Sequence, residues 1–227
     1  YNLSGQLSSI TDTANRTVNY NYNNRALLSA VSYDSANLAT YNYNNFGKPS
    51  NVTFGNGIVS TYSYDSLNRV SIIEIKNSAN KTLFKQAYEY DPESNRAKMT
   101  ETRVDETGAE FQAVTNYSYD SLGQLTLVDN QGGASNDFTY TYDSRGNRMT
   151  AGTPVDTASF AYTNGTNELN EVAYNGGLMT IASIYDNNGS LTKETHNRLG
   201  IANKEVDYSW NSENKLTGIT YKNLNRP

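Results

Sequence analysis

The chain has 227 residues, of which 36% are hydrophobic and 11% aromatic, and its mean hydropathy is -0.71. Disordered chains are poor in aromatic residues, so this composition indicates a thin folded structure whose small core is built from tyrosine. A net charge of -5 argues against nucleic acid as a partner, because phosphate binding requires clustered Lys and Arg. The absence of Cys excludes disulfides and thiolate metal sites, and no apolar run approaches the roughly 20 residues that a membrane-spanning helix needs.

One pattern recurs along the whole chain: Tyr-x-Tyr-Asp/Asn-x-x-Gly/Asn, followed by a polar residue and Leu or Val. The chain starts inside a copy, which predicts a fragment of something longer. Successive copies are 20 to 29 residues apart, and 16 of the 19 Tyr lie in the two aromatic positions of the pattern. The second aromatic position is filled, in order, by Tyr1, Tyr22, Tyr43, Tyr64, Tyr90, Tyr119, Tyr142, Tyr162, Tyr185 and Trp210.

The Tyr-x-Tyr segment predicts a β-strand. Its period of two places both rings on one side of a strand, and Val18, Tyr20 and Tyr22 extend the alternation upstream. One aromatic and one polar side are expected of an antiparallel sheet.

The segment after the second aromatic predicts a turn. Asp at its first position can accept hydrogen bonds from backbone N–H groups, and Gly at its fourth position tolerates positive φ. Asn can replace Asp with the same chemistry, as at Asn23, Asn44 and Asn211. The clearest turns are Asp120-Ser-Leu-Gly123 and Asp143-Ser-Arg-Gly146.

A second turn signal lies between successive copies, so each repeat is predicted to be strand, turn, strand, turn. These signals are Asp12 to Asn15, Asp34 to Asn37, Gly55 to Gly57, Asp105 to Gly108 and Gly132-Gly133. The second strand of the repeat is less regular. Val70 and Ile72 share one parity while Ile73 and Ile75 share the other, which a bulge or two partly covered faces would explain.

These signals predict an all-β protein: a continuous antiparallel meander of β-hairpin repeats forming a curved or spiralling sheet. We expect a single array of about ten repeats over residues 1–227, with about twenty short strands. The residues predicted to hold the repeat together are Tyr20, Tyr22, Tyr41, Tyr43, Tyr62, Tyr64, Asp65, Tyr88, Tyr90, Asp91, Tyr117, Tyr119, Asp120, Gly123, Tyr140, Tyr142, Asp143 and Gly146.

The pattern resembles the YD repeat of RHS proteins, and the segment from Tyr140 to Met149 is especially typical. Relatives are bacterial RHS toxins, wall-associated proteins, the C component of insecticidal toxin complexes and the teneurins. The resemblance implies a sheet that spirals into a shell, of which this chain would be a part, and a role in enclosing or presenting a toxin or other C-terminal domain. The implied partners are the remainder of the same RHS chain and the enclosed cargo, and the implied location is secreted, at the bacterial cell surface, or within a delivered effector.

No catalytic, cofactor or metal residue is predicted. His196 is the only His and has no nearby partner for a catalytic triad, and one His without Cys cannot complete a zinc site. The segment from Asp186 to Ser190 is similar to a calcium loop, but its Gly is misplaced and Asn197 stands where Glu is required, so the repeat turn explains it better.

Carbohydrate binding is the alternative hypothesis, as in a cell-surface adhesin. Tyr and Trp rings can stack on sugars, and Trp210 departs from Tyr in its position, which makes it the candidate ligand-binding residue. Packing of the rings against neighbouring strands explains their period more directly. Exposed sheet edges would also permit self-association.

Overall fold

The structure is a computed structural model, and it describes residues 1–105, 107–131 and 136–223. These residues form nineteen strands and a single-turn 3₁₀ helix, Asn175–Gly177. They divide into two compact units, residues 1–115 and 116–227, and the boundary falls inside strand β10 (Glu110–Tyr119). The all-β prediction is confirmed.

The first unit is an antiparallel meander in which each strand pairs with the next along the chain. Its even-numbered strands end in Tyr-x-Tyr, and the odd-numbered strands follow the Asp or Asn turn. The strands are β1 (Ser9–Thr11), β2 (Thr17–Tyr22), β3 (Leu28–Tyr33), β4 (Ala36–Tyr43), β5 (Pro49–Phe54), β6 (Val59–Tyr64), β7 (Val70–Lys76), β8 (Thr82–Tyr90) and β9 (Arg96–Val104).

The second unit has the same antiparallel order from β11 onward. The 3₁₀ turn lies in the Gly-rich connection between the fifth and sixth strands listed next. The strands are β11 (Leu125–Asn130), β12 (Phe138–Tyr142), β13 (Arg148–Thr153), β14 (Asp156–Tyr162), β15 (Leu169–Tyr174), β16 (Met179–Tyr185), β17 (Leu191–Arg198), β18 (Ile201–Trp210) and β19 (Leu216–Asn223).

The buried side chains lie on one face of the strands, which we call the Tyr face because both aromatic positions project from it. Of the seven side chains that are buried in the described parts of the chain, five lie two positions before the first aromatic of a repeat. The pairing register places Val52 opposite Tyr41 and Val172 opposite Phe160 on the same face. The buried side chains among the described residues are Ala39, Val52, Ser60 and Thr115 in the first unit, and Ala158, Val172 and Val206 in the second.

β7, the second strand of its repeat, contains a bulge, and this bulge explains why its apolar residues change parity. Tyr64 pairs with Val70 and Ser63 with Ile72, so Ser71 is an extra residue. The inserted residue moves Val70, Ile73 and Ile75 to the Tyr face together. Register shifts of this kind recur immediately before the second aromatic of hairpins in both units.

No helix among the described residues is long and apolar enough to cross a membrane.

Candidate functional site

The functional unit of this molecule is the repeat itself, and its first component is the Asp turn. In Asp120–Gly123, the backbone N–H of Gly123 donates to the Asp120 carbonyl at 3.0 Å, and the N–H of Asp120 donates to the Gln124 carbonyl at 2.9 Å. The Asp120 Oδ1 accepts from the N–H groups of Leu122 and Gln124, both at 2.9 Å. One carboxylate therefore satisfies two donors that the tight turn removes from the sheet ladder.

The same two side-chain bonds, to the N–H groups two and four residues later, recur along both units. Asn serves as well as Asp, because the bonds use only the side-chain carbonyl oxygen. Turns with both bonds begin at Asn2, Asp12, Asn23, Asn44, Asp65, Asn77, Asp105, Asp120, Asp143, Asp186 and Asn211.

Hydrogen bonds to the turn carboxylates stabilise their charged form. The backbone N–H of Arg69 is the largest influence that holds the pKa of Asp65 below its usual value, and the side-chain amide of Asn147 does the same for the pKa of Asp143. Asp186, the first residue of the calcium-like segment, uses its Oδ1 for the N–H groups of Asn188 and Ser190. These bonds make the segment one more repeat turn.

The fourth turn position has positive φ whichever residue fills it. Gly123 and Gly146 have φ of 76° and 84°, whereas Asn68 and Ala26 adopt 61° and 60°. Gly is favoured there because a Cβ is strained in this region, and Asn is the next most tolerant residue.

The second component is the bulge. In several hairpins a Thr hydroxyl at the bulge donates a hydrogen bond to a backbone carbonyl of the opposite strand. Thr192 donates to the Ile184 carbonyl and Thr217 to the Ser209 carbonyl, both at 3.0 Å. Thr126 donates to the Ser118 carbonyl at 3.1 Å. A bulge interrupts the ladder, so the carbonyl of the preceding residue becomes available to a donor from elsewhere.

The third component supplies that donor. The Tyr64 hydroxyl donates to the Pro49 carbonyl at 2.8 Å, and the Tyr43 hydroxyl donates to the Leu28 carbonyl at 2.6 Å. In each case the second aromatic of one repeat bonds the residue just before the bulge of the preceding repeat. We call this bond the aromatic latch. The other acceptors are Leu7, Val70, Leu125, Arg148, Leu169 and Leu191, which bind Tyr22, Tyr90, Tyr142, Tyr162, Tyr185 and Trp210 respectively.

Trp210 forms the same bond as the tyrosines. Its indole Nε1–H donates to the Leu191 carbonyl at 2.7 Å, and its ring is half-buried. A structural role thus accounts for the residue that the sequence singles out as a ligand-binding candidate. Across the chain the second aromatic position holds only Tyr and Trp, the two aromatics with this type of donor, whereas the first position also holds Phe160 and Ser183.

Four of the latch tyrosines have a raised pKa. Partial burial is the main cause that raises the pKa of Tyr43, Tyr64, Tyr142 and Tyr185. Among the first-position residues, the Tyr208 hydroxyl donates to Glu194 Oε2 at 2.6 Å, and the carboxylate raises the pKa of Tyr208 to about 12. All these phenols are therefore neutral donors at physiological pH.

Charged side chains add contacts on both faces. On the Tyr face, the guanidinium groups of Arg69 and Arg148 lie 4.3 Å and 4.6 Å from the ring centres of Tyr90 and Phe160. On the other face, Lys193 and Lys222 both pair with Glu205 at 3.1 Å, and Lys222 also pairs with Asp207. These contacts join side chains of neighbouring strands and turns.

His196 lies in β17, and its Nε2 is 4.0 Å from Glu194 Oε2, on the same face as Tyr208. Within residues 1–105, 107–131 and 136–223, no group of three or more His, Cys, Asp or Glu side chains could hold a metal ion. His196 is thus a half-buried residue on one face of a strand that pairs with β16 and β18.

Most predicted repeat residues take the places that the pattern assigns. Asp91 and Asp143 begin turns, and Gly123 and Gly146 occupy the positive-φ position. The predicted turn at Asp105 is present although Glu106 lies outside the described residues, and the turn predicted at Gly132-Gly133 also lies outside them. The aromatic latch and the bulge hydroxyl were not foreseen, although the exclusion of Phe from the second position signals the latch.

Comparison with known proteins agrees with this geometry. The chain matches the Teneurin YD-shell family model over residues 1–225. No curated protein matches it in sequence.

Solved structures of TcdB2-TccC3 share the fold. The structure of TcdB2-TccC3 has a TM-score of 0.63 at 17% identity, and the match covers 98% of this chain and 15% of that one. The structure of TcdB2-TccC3-Cdc42 has a TM-score of 0.62 at 17% identity, and the match covers 98% of this chain and 14% of that one. TcdB2-TccC3-TEV has a TM-score of 0.61 at 19% identity, with 94% and 13% covered, so this chain spans about one seventh of the chains that it matches. With a family model that covers nearly every residue and a hairpin repeat that recurs in both units, the chain belongs to the Teneurin YD-shell family.

Proposed function

We propose that this chain is a wall segment of an RHS-type shell that encloses or presents a toxin or another domain of the same polypeptide. The observation that carries the proposal is the aromatic latch, because each latch joins a repeat to the preceding one through a backbone carbonyl. Such bonds build a strip by nearest-neighbour contacts, as in repeat proteins, and a strip can be lengthened by adding units.

The recurrent polar groups support a structural role over a catalytic one. The turn carboxylates accept backbone N–H groups, and the latch hydroxyls donate to backbone carbonyls. We therefore place any chemical activity of the parent protein in another segment. The partners of this proposal are the remainder of the RHS chain and the enclosed domain, in a secreted or delivered bacterial protein.

The test uses the full-length product of the parent gene under limited proteolysis. If the repeats form a closed wall, a domain carried by the same polypeptide resists digestion while the wall is intact. A triple variant, Tyr43→Phe, Tyr64→Phe and Tyr90→Phe, removes three latches, and we expect it to expose that domain to the protease.

The matched control removes three hydroxyls from the first aromatic position: Tyr20→Phe, Tyr41→Phe and Tyr62→Phe. Its digestion pattern should match the wild type. Equal digestion of the other domain in the wild type and in the latch variant would contradict enclosure.

A further inference from the structure

The chain contains four Asn-Gly dipeptides, at Asn56, Asn164, Asn175 and Asn188. Asparagine is one of the thermolabile residues of proteins. It is least stable before Gly, because the backbone nitrogen of the Gly can attack the side-chain carbonyl carbon of the Asn and no side chain obstructs the approach. Asn175 lies in the 3₁₀ turn, whereas the other three dipeptides lie in turns of the repeat.

Hydrogen bonding of the Gly nitrogen, and not exposure, distinguishes these three dipeptides. All three Asn side chains are exposed. In two of the turns, the Gly fills the fourth position and its N–H donates to the carbonyl of the first residue. Gly57 donates to the Phe54 carbonyl at 2.9 Å, and Gly189 donates to the Asp186 carbonyl at 3.0 Å. Attack by either nitrogen requires that this bond first opens.

The turn that contains Asn164 has a different register. The Thr163 N–H donates to the Glu168 carbonyl at 2.9 Å, so this turn is one residue longer than the Asp turns. The Thr166 N–H donates to the Thr163 carbonyl at 3.0 Å, which places Gly165 at the third position instead of the fourth. Across the described residues, no group accepts a hydrogen bond from the Gly165 N–H, and a Cβ placed on Gly165 would meet no atom within 4 Å.

We propose that Asn164 is a site of spontaneous succinimide formation, and that the repeat turn suppresses the same reaction at Asn56 and Asn188. The Gly165 nitrogen gives its proton to water and forms a bond to the side-chain carbonyl carbon of Asn164. The bond from this carbon to the side-chain amide nitrogen breaks, and that nitrogen takes up a proton and leaves as ammonia. Water then opens the ring at either of its carbonyls, which produces aspartate or isoaspartate.

The conversion changes the charge of this turn. Asn164 lines an open cavity together with Asp143 and Arg145. The Arg145 guanidinium donates to the Thr166 carbonyl at 3.5 Å, which is a long hydrogen bond. Both products place a carboxylate at position 164, beside this guanidinium, and the isoaspartyl product also adds a carbon atom to the backbone of the turn.

The experiment compares the folded chain with the same chain unfolded in guanidinium chloride, at neutral pH and physiological temperature. Peptide mapping by mass spectrometry follows the conversion of each Asn, and isoaspartyl methyltransferase labels the isoaspartate. In the unfolded chain, the three sites share a Gly neighbour and should react at similar rates. In the folded chain, we expect Asn164 to react at nearly the unfolded rate. Asn56 and Asn188 should be slower by about fivefold or more, in line with one hydrogen bond that must open.

The variant Asp186→Ala tests the cause of the protection. It removes the carboxylate that accepts the N–H groups of Asn188 and Ser190 and thereby holds the turn. Conversion of Asn188 should rise toward its unfolded rate, while Asn56, whose turn begins at Phe54, should keep its protection in the same sample. If Asn56 also accelerates, the variant has unfolded and the wild-type comparison decides.

Equal protection of the three sites in the wild-type chain would overturn the proposal, and so would a folded chain in which Asn164 reacts more slowly than Asn56 and Asn188. An unchanged rate at Asn188 in the Asp186→Ala variant would contradict the protective role of the Asp turn.

Discussion

The two tyrosines of each repeat have different tasks, although they are adjacent on one face. The second aromatic carries a donor that bonds a carbonyl 14 to 20 residues earlier, as Tyr162 does with Arg148 and Tyr90 with Val70. The first aromatic mainly covers the buried row, and Phe160 performs this task without a hydroxyl. The chemistry of a single atom thus distinguishes two positions that share one residue type.

Removing one hydroxyl from each position should separate these tasks. We expect Tyr64→Phe to lower the free energy of unfolding by about 1 kcal/mol, because the Pro49 carbonyl loses its side-chain donor. Tyr62→Phe should change it by only a few tenths of a kcal/mol, within the range of neutral surface substitutions. Urea unfolding of both variants measures the difference, and equal losses would contradict the latch.

At the scale of the hairpin, the turn and the bulge act together. The Asp turn reverses the chain with a positive φ at its fourth position, and the bulge that follows switches the parity of the second strand. If Ser71 paired regularly with Ser63 and no bulge formed, Ile73 and Ile75 would lie on the polar face. The bulge therefore decides which apolar side chains join the Tyr face.

The fourth turn position provides a prediction about the hairpin. Gly123 has φ of 76°, and a Cβ placed there would meet no atom within 4 Å, so backbone strain is the only expected penalty. Gly123→Val should destabilise the protein by roughly 1 kcal/mol or more, because a β-branched residue resists positive φ.

Gly123→Asn is the matched control, since Asn68 and Asn80 occupy the same turn position with φ of 61°. It should cost clearly less than the Val variant. Thermal melts of the two variants beside the wild type provide the measurement, and a Val variant that melts no lower than wild type would contradict the turn assignment.

At the scale of the whole molecule, stability depends on many weak, repeated contacts. Few of the described side chains are buried in either unit, and most rings on the Tyr face are half-buried. Hydrogen bonds of the same type recur in both units, so the protonation of each type of group should affect many repeats together.

This repetition predicts a stability plateau bounded at both ends of the pH scale. The pKa values of Asp65, Asp105 and Asp143 are lowered in the fold, so their stabilisation is present above about pH 4 and is lost as the pH falls through the lowered values. The pKa values of Tyr142 and Tyr208 are raised, that of Tyr208 to about 12, so their contribution is present below about pH 10 and is lost above it. Urea midpoints measured across the pH scale should fall on both sides, and a flat profile below pH 4 would contradict the carboxylate assignment.

Sequence patterns predict the parts of this structure that depend on local chemistry. The period of Val18, Tyr20 and Tyr22 identifies strands, and Asp120 with Gly123 identifies turns, because both signals act within a few residues. The acceptors of the latches escape prediction for a physical reason. A backbone carbonyl is the same in Leu28, Pro49 and Arg148, so no residue type identifies it.

The acceptor of each latch is a main-chain carbonyl, and this has an evolutionary consequence. Leu, Pro, Val and Arg side chains all precede a bulge that receives a latch, so a substitution at the acceptor residue leaves its hydrogen bond intact. A repeat can then be duplicated, deleted or exchanged by recombination without a compensating change in its neighbour. Selection on such a gene would act mainly on the donors and the turns, while the remaining positions could diverge and the array could change in length.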